Sequence, residues 1–272
     1  MAYNLLKGKK GIIFGALNEQ SIAWKAAEAA VAEGAQIVLT NTPLSLRLGA
    51  INELAEKCNA IVIPADATSI ADLEALTDGA MEHFGGQFDF VLHSVGMSPN
   101  IRKNRPYEAT NYDFFDKTLD ISAMSFHKLL NVLYAKDAIK EWGSVVALSY
   151  IAAQRTFEGY NDMADAKALL ESITRSFGLK FGKERHVRVN TISQSPTMTT
   201  AGSGIDGMKD MFVYADLMSP LGNASAEDCA GYIVSLFSDL TRKVTMQNLY
   251  HDGGFSSTGL TADVIEVFKK GL

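Results

Sequence analysis

The sequence is poor in cysteine and proline and contains no long hydrophobic run. Its 272 residues include only two cysteines and six prolines. Two cysteines, Cys58 and Cys229, give neither a disulfide framework nor the ligand spacing of a metal site, so we expect buried apolar thiols in a reducing cytoplasm. No apolar run approaches the roughly 20 residues that cross a bilayer, and the first residues lack a signal-peptide pattern, so we expect no membrane insertion.

Clustered positive charge is also missing. The chain carries 25 Lys and Arg against 31 Asp and Glu, a formal net charge of −6. Because nucleic-acid binding depends on clustered cations, this composition argues against nucleic acid as a general partner. The five histidines show no metal-ligand spacing, so we expect no metal. No linker, charge run or repeat divides the chain, and we predict one domain over residues 1–272.

Short β-branched runs alternate with longer helical patterns. Several runs are almost wholly apolar, as expected for strands covered on both faces. The alternation predicts a doubly wound parallel α/β sheet of about seven strands, with ligands bound beyond the carboxyl ends of the strands. The predicted strands are Gly11–Phe14, Gln36–Thr40, Ala60–Pro64, Phe88–His93, Ser144–Ser149, Val187–Ser193 and Thr245–His251. The predicted helices lie near 21–33, 45–57, 70–84, 112–136, 158–181 and 225–238.

A tight turn and a helix start follow the first predicted strand. Gly15 comes directly after the strand, and Ser21 is placed to cap the first turn of the next helix. Backbone N–H groups and the helix dipole at such a site favour a pyrophosphate. The string is not GxGxxG, so an ordinary structural turn is the alternative.

Other strand ends add to the evidence for a dinucleotide. Asp66 follows the third strand, where a carboxylate suits an adenine amino group, and Ser94-Val95-Gly96 follows the fourth. An N-cap for Asp66 and a turn for Gly96 are the alternatives. The second strand ends in Thr40-Asn41-Thr42-Pro43, without the acidic residue or the arginine that often stands there. We predict a preference for NADH over NADPH.

Tyr160 and Lys167 are seven residues apart, so on one helix they project from nearly the same side. A nearby ammonium favours the ionised form of a phenol, so this spacing suits a tyrosine acid whose pKa is tuned by the lysine. The alternative is a packed tyrosine and a surface lysine that share a face by chance. The pair follows a dinucleotide-type half of the chain, and this context favours the catalytic interpretation.

The Tyr-x6-Lys pair resembles the short-chain dehydrogenase/reductase superfamily. Most members carry a serine thirteen residues before the tyrosine, where this chain has Ala147; instead Tyr150 stands ten residues before Tyr160. The resulting pattern Tyr-x9-Tyr-x6-Lys is similar to the enoyl-acyl-carrier-protein reductase branch. Further strings that match this branch are Gly15-x5-Ser21-Ile22-Ala23, His93-Ser94-Val95-Gly96, Ala147-Leu148-Ser149-Tyr150, Val187-Arg188-Val189-Asn190 and Asp252-Gly253-Gly254-Phe255. The resemblance spans about residues 5 to 256 and is greatest to versions from Bacteroides-type bacteria.

The resemblance implies a Rossmann-like fold and reduction of trans-2-enoyl-acyl-carrier-protein thioesters by NADH, the last step of each fatty-acid elongation cycle. It implies that Tyr160 hydrogen-bonds the thioester oxygen, that Lys167 orients the ribose, and that Tyr150 shapes the pocket or assists at the thioester. The implied cofactor-binding residues are Gly15, Ser21, Ile22, Thr42, Asp66, Ala67, Ser94, Val95, Gly96, Lys167, Thr197, Met198, Thr199, Thr200 and Ala201. The implied substrate residues are Ser98, Tyr150, Tyr160 and Met208.

The resemblance also implies a mobile substrate cover over about 195–215 and a homotetramer, in which the C-terminal tail 257–272 covers a neighbour. Met208, Met211 and Phe212 then line an acyl groove, although core residues of a short helix are an equal alternative. The cover offers only Lys209 between carboxylates, so the usual landing site for an acidic carrier is in doubt. Arg102-Lys103-Asn104-Arg105 is an alternative landing site, or a solvated loop.

Two other functions compete with this interpretation. A short-chain reductase of a 3-oxoacyl or other carbonyl substrate is disfavoured by Ala147 and Tyr150. A non-catalytic NAD(H) sensor is disfavoured because a sensor needs no acid, yet Tyr150, Tyr160 and Lys167 are all present.

Overall fold

A computed structural model describes residues 2–48, 50–197 and 208–271 of the chain. Seven strands form one sheet in the order β3-β2-β1-β4-β5-β6-β7, and every neighbouring pair is parallel. The strands are β1 Lys10–Phe14, β2 Gln36–Thr40, β3 Ile61–Val62, β4 Phe88–His93, β5 Ile139–Ser149, β6 Arg188–Gln194 and β7 Asn248–His251. The predicted doubly wound parallel sheet is confirmed.

Helices cover both faces of the sheet. Apolar residues of α4, α7 and α8 form one core with one face of the strands, and those of α1, α3 and α10 form a second core on the other face. Neighbouring residues of β1 divide between the cores, Ile12 in the first and Ile13 in the second, because successive side chains of a strand point in opposite directions. The helices are α1 Ile22–Ala32, α2 Pro43–Leu48, α3 Ile51–Cys58, α4 Ile70–Phe84, α5 Pro99–Arg102, α6 Tyr112–Leu119, α7 Ser125–Ala135, α8 Asn161–Arg185, α9 Met208–Met218, α10 Ala226–Phe237 and α11 Ala262–Gly271.

Two predicted helices are interrupted. The one expected over 45–57 is two helices, α2 and α3, since the backbone N–H of Ala50 donates to the carbonyl of Leu17 at 3.1 Å. The one expected over 112–136 contains a π-helical turn, Asp120–Met124, between α6 and α7. Such turns place an extra residue in a helix and often occur at functional sites. Here the buried Ser122 accepts a hydrogen bond from the backbone N–H of Met97 at 3.0 Å.

Several strands and helices begin or end at other residues than predicted, because the apolar pattern of a sequence locates the ends of elements poorly. β3 has only two residues, and β5 begins five residues earlier than Ser144. The pairing of β5 with β4 jumps from Phe88↔Ile139 to Phe90↔Ser144, and within the irregular segment Trp142 has φ +66°. The short helix α5 was not predicted, and α8 begins at Asn161 and ends at Arg185 rather than spanning 158–181.

Cys58 and Cys229 are buried and unpaired, as predicted. Within the described residues, no helix combines the length and apolar character needed to span a membrane. The same residues show no cluster of three or more His, Cys, Asp or Glu side chains placed to hold a metal ion. Most of the C-terminal tail forms α11, with Val264 packed against the chain and Val267 and Phe268 exposed.

Candidate active site

A cavity of about 410 Å³ opens at the carboxyl ends of the strands. It lies across β1 and β4, where the strand order reverses, which is the usual ligand site of an open α/β sheet. Residues that follow five strands line it, and the helices α1 and α8 supply further walls. Of the residues predicted to act, the cavity brings together Gly15, Ser21, Ile22, Ser94, Val95, Gly96, Ser98, Tyr150, Tyr160, Lys167 and Thr197.

The loop after β1 requires glycine at position 15. Gly15 has φ +91°, and a Cβ atom there would lie 2.0 Å from the carbonyl oxygen of Ser94. An L side chain would therefore meet both backbone strain and a collision with the loop after β4. The close approach of these two loops places the N terminus of α1 at the cavity.

Ser21 occupies the N-cap position of α1, but the predicted capping bond is wrong. Its hydroxyl donates to the carbonyl of Asn18 at 2.6 Å and accepts from the N–H of Leu17 at 3.2 Å, and it makes no cap bond to the first turn. The hydroxyl thus shapes the preceding loop. A helix N terminus leaves its first amides without partners in the helix, so this end of α1 suits a pyrophosphate.

The end of β2 offers neutral groups to the cavity. Asn41 and Ser45 line the cavity. Thr42 lies beside them, and its hydroxyl oxygen accepts a hydrogen bond from the N–H of Ser45 at 3.2 Å. Among the described residues that line the cavity, the Lys and Arg side chains are Arg102 and Lys167, which belong to the loop after β4 and to α8. The β2 end therefore presents neutral side chains to the cavity, which suits an NADH ribose.

Asp66 and Ala67 lie outside the cavity lining. The Asp66 carboxylate accepts from both the backbone N–H and the hydroxyl of Thr68 at 2.8 Å, which forms a local turn. Ser69, rather than Asp66, is the N-cap of α4 and accepts from the N–H of Asp72 at 3.2 Å. The alternative of Asp66 as an N-cap is therefore wrong.

Lys167 lies in the wall of the cavity, with 8% of its surface exposed. Its Nζ donates to the carbonyl of Leu148 at 2.7 Å. Burial lowers the pKa of Lys167 to about 8, an effect that the nearby Glu171 carboxylate opposes. A Cβ atom at Gly96 would lie 3.7 Å from Nζ, so the loop after β4 passes close to the ammonium without crowding it.

Tyr160 immediately precedes α8, and its ring packs against that of Tyr150 with 4.9 Å between centroids. Burial raises the pKa of Tyr160. The expectation of a lowered pKa was therefore wrong in direction, because burial disfavours the charged phenolate. Tyr160 is held as a neutral phenol and is suited to donate a hydrogen bond.

Tyr150 follows β5 and is buried among Phe157, Tyr160 and α9. Its hydroxyl donates to the sulfur of Met211 at 3.6 Å, and burial raises its pKa. Met211 lines the cavity, whereas the backbone carbonyl of Phe212 accepts from Asn223 at 2.8 Å. The predicted contacts at Met198, Thr199, Thr200 and Ala201 and the Met208 side chain lie outside the described residues.

Ser98 lines the cavity, but its hydroxyl is directed away from a substrate. It donates to the carboxylate of Asp162 at 2.6 Å and accepts from the N–H of Ile101 at 3.1 Å as the N-cap of α5. His93 packs behind the cavity, with its ring 5.1 Å from that of Phe126 and its Nε2 2.9 Å from the Ser125 hydroxyl. Burial lowers the pKa of His93 to about 3, so the imidazole is neutral.

Two buried carboxylates near the cavity were not singled out from the sequence. Glu171 accepts from the Ser149 hydroxyl at 2.7 Å and from the Gln154 amide at 3.0 Å. Glu171 lies four residues after Lys167, so the two share a face of the helix, and the sequence could have indicated this pairing. Asp162 lies between Tyr160 and Lys167 in the Tyr-x6-Lys pair, but its hydrogen-bond partners come from distant segments. No spacing within the sequence therefore indicates its role.

A family model described as "Enoyl-(Acyl carrier protein) reductase" matches residues 15–256. A curated relative from Rhizobium meliloti, an enoyl-[acyl-carrier-protein] reductase [NADH], is 34% identical over 257 residues, which is 94% of each chain. A second, from Rickettsia felis, is 34% identical over 262 residues, 95% of this chain and 98% of the relative.

Solved structures agree with these relatives. The complex of FabI with NADH from Alistipes finegoldii is 70% identical, covers 99% of this chain and 95% of that chain, and has a TM-score of 0.97. A structure of FabI from the same organism is 68% identical, with a TM-score of 0.95 and coverage of 99% and 98%. This similarity agrees with the predicted Bacteroides-like version of the family.

Proposed function

The chain belongs to the NADH-dependent enoyl-[acyl-carrier-protein] reductase family, and from this membership we propose how its own residues perform the reaction. The protein reduces the carbon–carbon double bond of enoyl-acyl-carrier-protein thioesters with NADH. The observation that carries the assignment of roles is the convergence of Tyr150, Tyr160 and Lys167 on one cavity beside the N terminus of α1.

The cavity holds the dinucleotide along the carboxyl ends of β1 and β4. The loop of Gly15 and the start of α1 face the pyrophosphate, and Lys167 faces the nicotinamide ribose. Bound NADH supplies the hydride that adds to C3 of the enoyl chain. Thr42, Asp66 and Ala67, which lie outside the cavity wall, are proposed to border the adenosine end.

Tyr160 stabilises the charge that develops on the thioester oxygen during reduction. Addition at C3 of a conjugated thioester moves negative charge to that oxygen, so a donor placed there acts mainly in the transition state. Because burial raises the pKa of Tyr160, its hydroxyl keeps its proton at neutral pH and donates it in a hydrogen bond. We assign Tyr160 as the catalytic residue of this step.

Tyr150 forms the adjoining wall of the substrate pocket. Its hydroxyl contacts Met211, and its ring contacts Tyr160, so it joins α9 to the catalytic tyrosine. We propose that Tyr150 holds the thioester against Tyr160 and excludes water from the oxygen that accepts the hydrogen bond. The residues of the predicted cover, including Met208, are proposed to complete this wall.

The assigned activity is tested by NADH absorbance with purified protein and a trans-2-octenoyl thioester, alongside a matched 3-oxooctanoyl thioester. We expect NADH consumption with the enoyl substrate only. Turnover with the oxo substrate only would place the protein in another branch of the superfamily. NADH binding without turnover of either thioester would indicate a sensor.

We propose that the carrier protein docks on the cations of the loop after β4. Arg102 is exposed and lines the cavity, and Lys103 and Arg105 lie 4.5 and 5.8 Å from the Phe114 ring centroid. A basic rim beside the cavity entrance suits an acidic partner that delivers a tethered thioester.

Charge reversal tests this docking surface. Arg102→Glu with Arg105→Glu should raise KM for the carrier-bound substrate about tenfold and leave KM for a carrier-free thioester within threefold. Lys7→Glu, an exposed cation that precedes β1 at the opposite end of the sheet, is the control. Equal KM changes for both substrates, or none, would exclude carrier docking there.

The assembly and location are also proposals. We propose a homotetramer, supported by the apolar side chains of Leu260, Val267 and Phe268 that remain exposed around α11 in the single chain. Light scattering on the purified protein tests this, since a monomeric mass would contradict it. We propose a cytoplasmic location, supported by the buried and unpaired Cys58 and Cys229.

A further inference from the structure

Asp162 is a fully buried carboxylate at the second position of α8, two residues after Tyr160. Its oxygens accept three hydrogen bonds, each from a different place in the chain. Oδ1 accepts from the Ser98 hydroxyl at 2.6 Å, and Oδ2 accepts from the Asn100 amide and the Thr118 hydroxyl, both at 2.8 Å, although Thr118 shares its one hydrogen with the carbonyl of Phe114 at 2.9 Å. One side chain therefore joins the loop after β4, the helix α5 and the helix α6 to the helix that carries Lys167.

No cation balances this charge at close range. Across residues 2–48, 50–197 and 208–271, no Lys, Arg or His nitrogen lies within ion-pair distance of Asp162. The carboxylate is stabilised by its three donors and by the positive end of the α8 dipole. A buried charge held only by neutral donors is sensitive to the loss of any of them, so the geometry of its partners is tightly determined.

One partner of Asp162, Ser98, lies in a wall of the reaction cavity. Met97, Ser98, Ile101 and Arg102 line the cavity on the side of the β4 loop, and Tyr160, Met163 and Lys167 line it on the side of α8. Asp162 bonds the first wall to the second through Ser98, and the neighbouring Asn161 adds a bond from its amide to the Arg105 carbonyl. The Ser98 hydroxyl has one hydrogen, which it gives to Asp162, so Ser98 has no proton for a substrate oxygen.

The network continues beyond the first partners. Asn100 donates to the carbonyl of Asn111 at 3.2 Å and accepts from its N–H at 3.1 Å. Asn111 is the N-cap of α6 and accepts from the N–H of Phe114. The carboxylate thus determines where α5 and the start of α6 sit relative to Tyr160.

We propose that Asp162 is a positioning residue that sets the distance between the substrate wall of the cavity and Tyr160. This inference rests on the proposed role of Tyr160 in enoyl reduction. The pyrophosphate end of the dinucleotide lies against the β1 loop and the start of α1, and the bonds of Asp162 go to Ser98, Asn100 and Thr118 instead. We therefore expect a larger effect on the thioester than on NADH affinity. The reaction is sensitive to such placement, because a shift of about 1 Å can cost about a hundredfold in rate.

The first test is Asp162→Asn, which keeps the shape of the side chain and replaces one acceptor by a donor that faces other donors. We expect kcat/KM for the octenoyl thioester to fall about tenfold, with Kd for NADH within twofold of the wild type. Asp165→Asn is the matched control, one turn of α8 away, where the carboxylate accepts only from the Tyr107 hydroxyl at 3.3 Å. It should leave kcat/KM within twofold.

The second test exchanges the two partners. Asp162→Asn combined with Asn100→Asp restores a donor opposite an acceptor between these two residues but removes the bond from Asn100 to the carbonyl of Asn111. We therefore expect a partial return of kcat/KM towards the wild type, to about threefold above the single variant. If the single variant folds poorly, Ser98→Ala, which removes one donor, should lower kcat/KM in the same direction by about threefold.

The outcomes distinguish a failure of the proposed function from a failure of the positioning role of Asp162. No turnover of the octenoyl thioester by the wild type would contradict the proposed function itself. With an active wild type, an unchanged kcat/KM in the Asp162→Asn and Ser98→Ala variants would overturn the positioning role. A parallel loss of NADH affinity, or a double variant no better than the single one, would also overturn it, since either result indicates a general structural defect.

Discussion

The two halves of the cavity differ in the groups that form them, backbone atoms in one and buried ionisable side chains in the other. In the half formed by β1, α1 and β2, the path of the backbone shapes the cavity, as at Gly15. Polar side chains there bond to nearby backbone; the Asn41 amide, for example, donates to the carbonyl of Ala16 at 3.1 Å. In the half formed by β4, β5 and α8, ionisable side chains are buried, among them Lys167, Asp162 and Glu171. Under the proposed function, the first half receives the pyrophosphate on backbone groups, and the second holds protons and charges at fixed positions.

This difference predicts how each half responds to substitution. Backbone-built sites tolerate many side chains but not a change in the path of the chain. Buried charged groups tolerate little, because removal of one partner leaves another unsatisfied. Substitutions in the first half should therefore alter NADH binding and stability, and those in the second half should alter turnover, except at Lys167, whose proposed contact with the ribose should also affect NADH binding.

The largest effect on turnover is expected at Tyr160. Tyr160→Phe removes one hydroxyl without opening a cavity and should lower kcat by about a hundredfold or more, the usual loss for one donor to a developing oxyanion. Tyr150→Phe is the control, since its hydroxyl contacts the Met211 sulfur, and it should lower kcat by less than about tenfold. Equal losses in the two variants, measured by steady-state kinetics, would contradict the assignment of Tyr160.

The sequence predicted the second half better than the first. Tyr150, Tyr160 and Lys167 form a spaced pattern of particular side chains, so their meeting in the cavity was expected. The loop of Gly15 acts through backbone geometry, which few residue identities reveal, and the role given there to Ser21 was wrong because its hydroxyl turns back to Asn18.

Long-range contacts account for the other differences. The π-helical turn at Ser122 exists because its hydroxyl meets Met97 across the cavity wall, and the break before Ile51 exists because Ala50 bonds to Leu17. Neither partner is near in sequence. The pKa of Tyr160 was misjudged because it is set by burial, which the sequence does not report.

The largest effect on stability is expected at Gly15. Gly15→Ala places a Cβ 2.0 Å from the carbonyl of Ser94 at φ +91°, so we expect the free energy of unfolding to fall by about 2–4 kcal/mol and NADH binding to be lost with it. Gly85→Ala is the control, because Gly85 also has positive φ, +72°, but nothing lies within 4 Å of its Cβ position. Urea denaturation of both variants tests this; a Gly15 variant no less stable than the Gly85 variant would disprove the clash.

Lys167 gives a pH-dependent effect of intermediate size. With its pKa lowered to about 8 by burial, the ammonium is present at pH 7 and lost above about pH 8. NADH binding should therefore weaken by up to about tenfold between about pH 7 and 9.5, as a charge-assisted hydrogen bond is removed. Fluorescence titration measures this, and Lys167→Met should bind with a Kd that is flat over the same range. A wild-type Kd that does not change with pH would contradict the role of the ammonium.

The smallest effects are expected at Ser21 and Ser69, the residues that precede α1 and α4. Ser21→Ala removes the hydroxyl that shapes the β1 loop and should weaken NADH binding about threefold with little change in stability. Ser69→Ala removes a genuine N-cap bond and should lower the free energy of unfolding by about 1 kcal/mol while leaving NADH binding unchanged. The reverse pattern would show that Ser21 is an ordinary cap.

The most direct test of the division between binding and chemistry is the kinetic isotope effect on kcat with NADH deuterated at C4 of the nicotinamide. If Tyr160 acts in the chemical step, Tyr160→Phe should lower kcat about a hundredfold while the isotope effect stays at least as large as in the wild type, since bond breaking then limits turnover. A similar loss of kcat with an isotope effect near unity would show that the tyrosine governs binding or release, and would contradict its assignment to charge stabilisation.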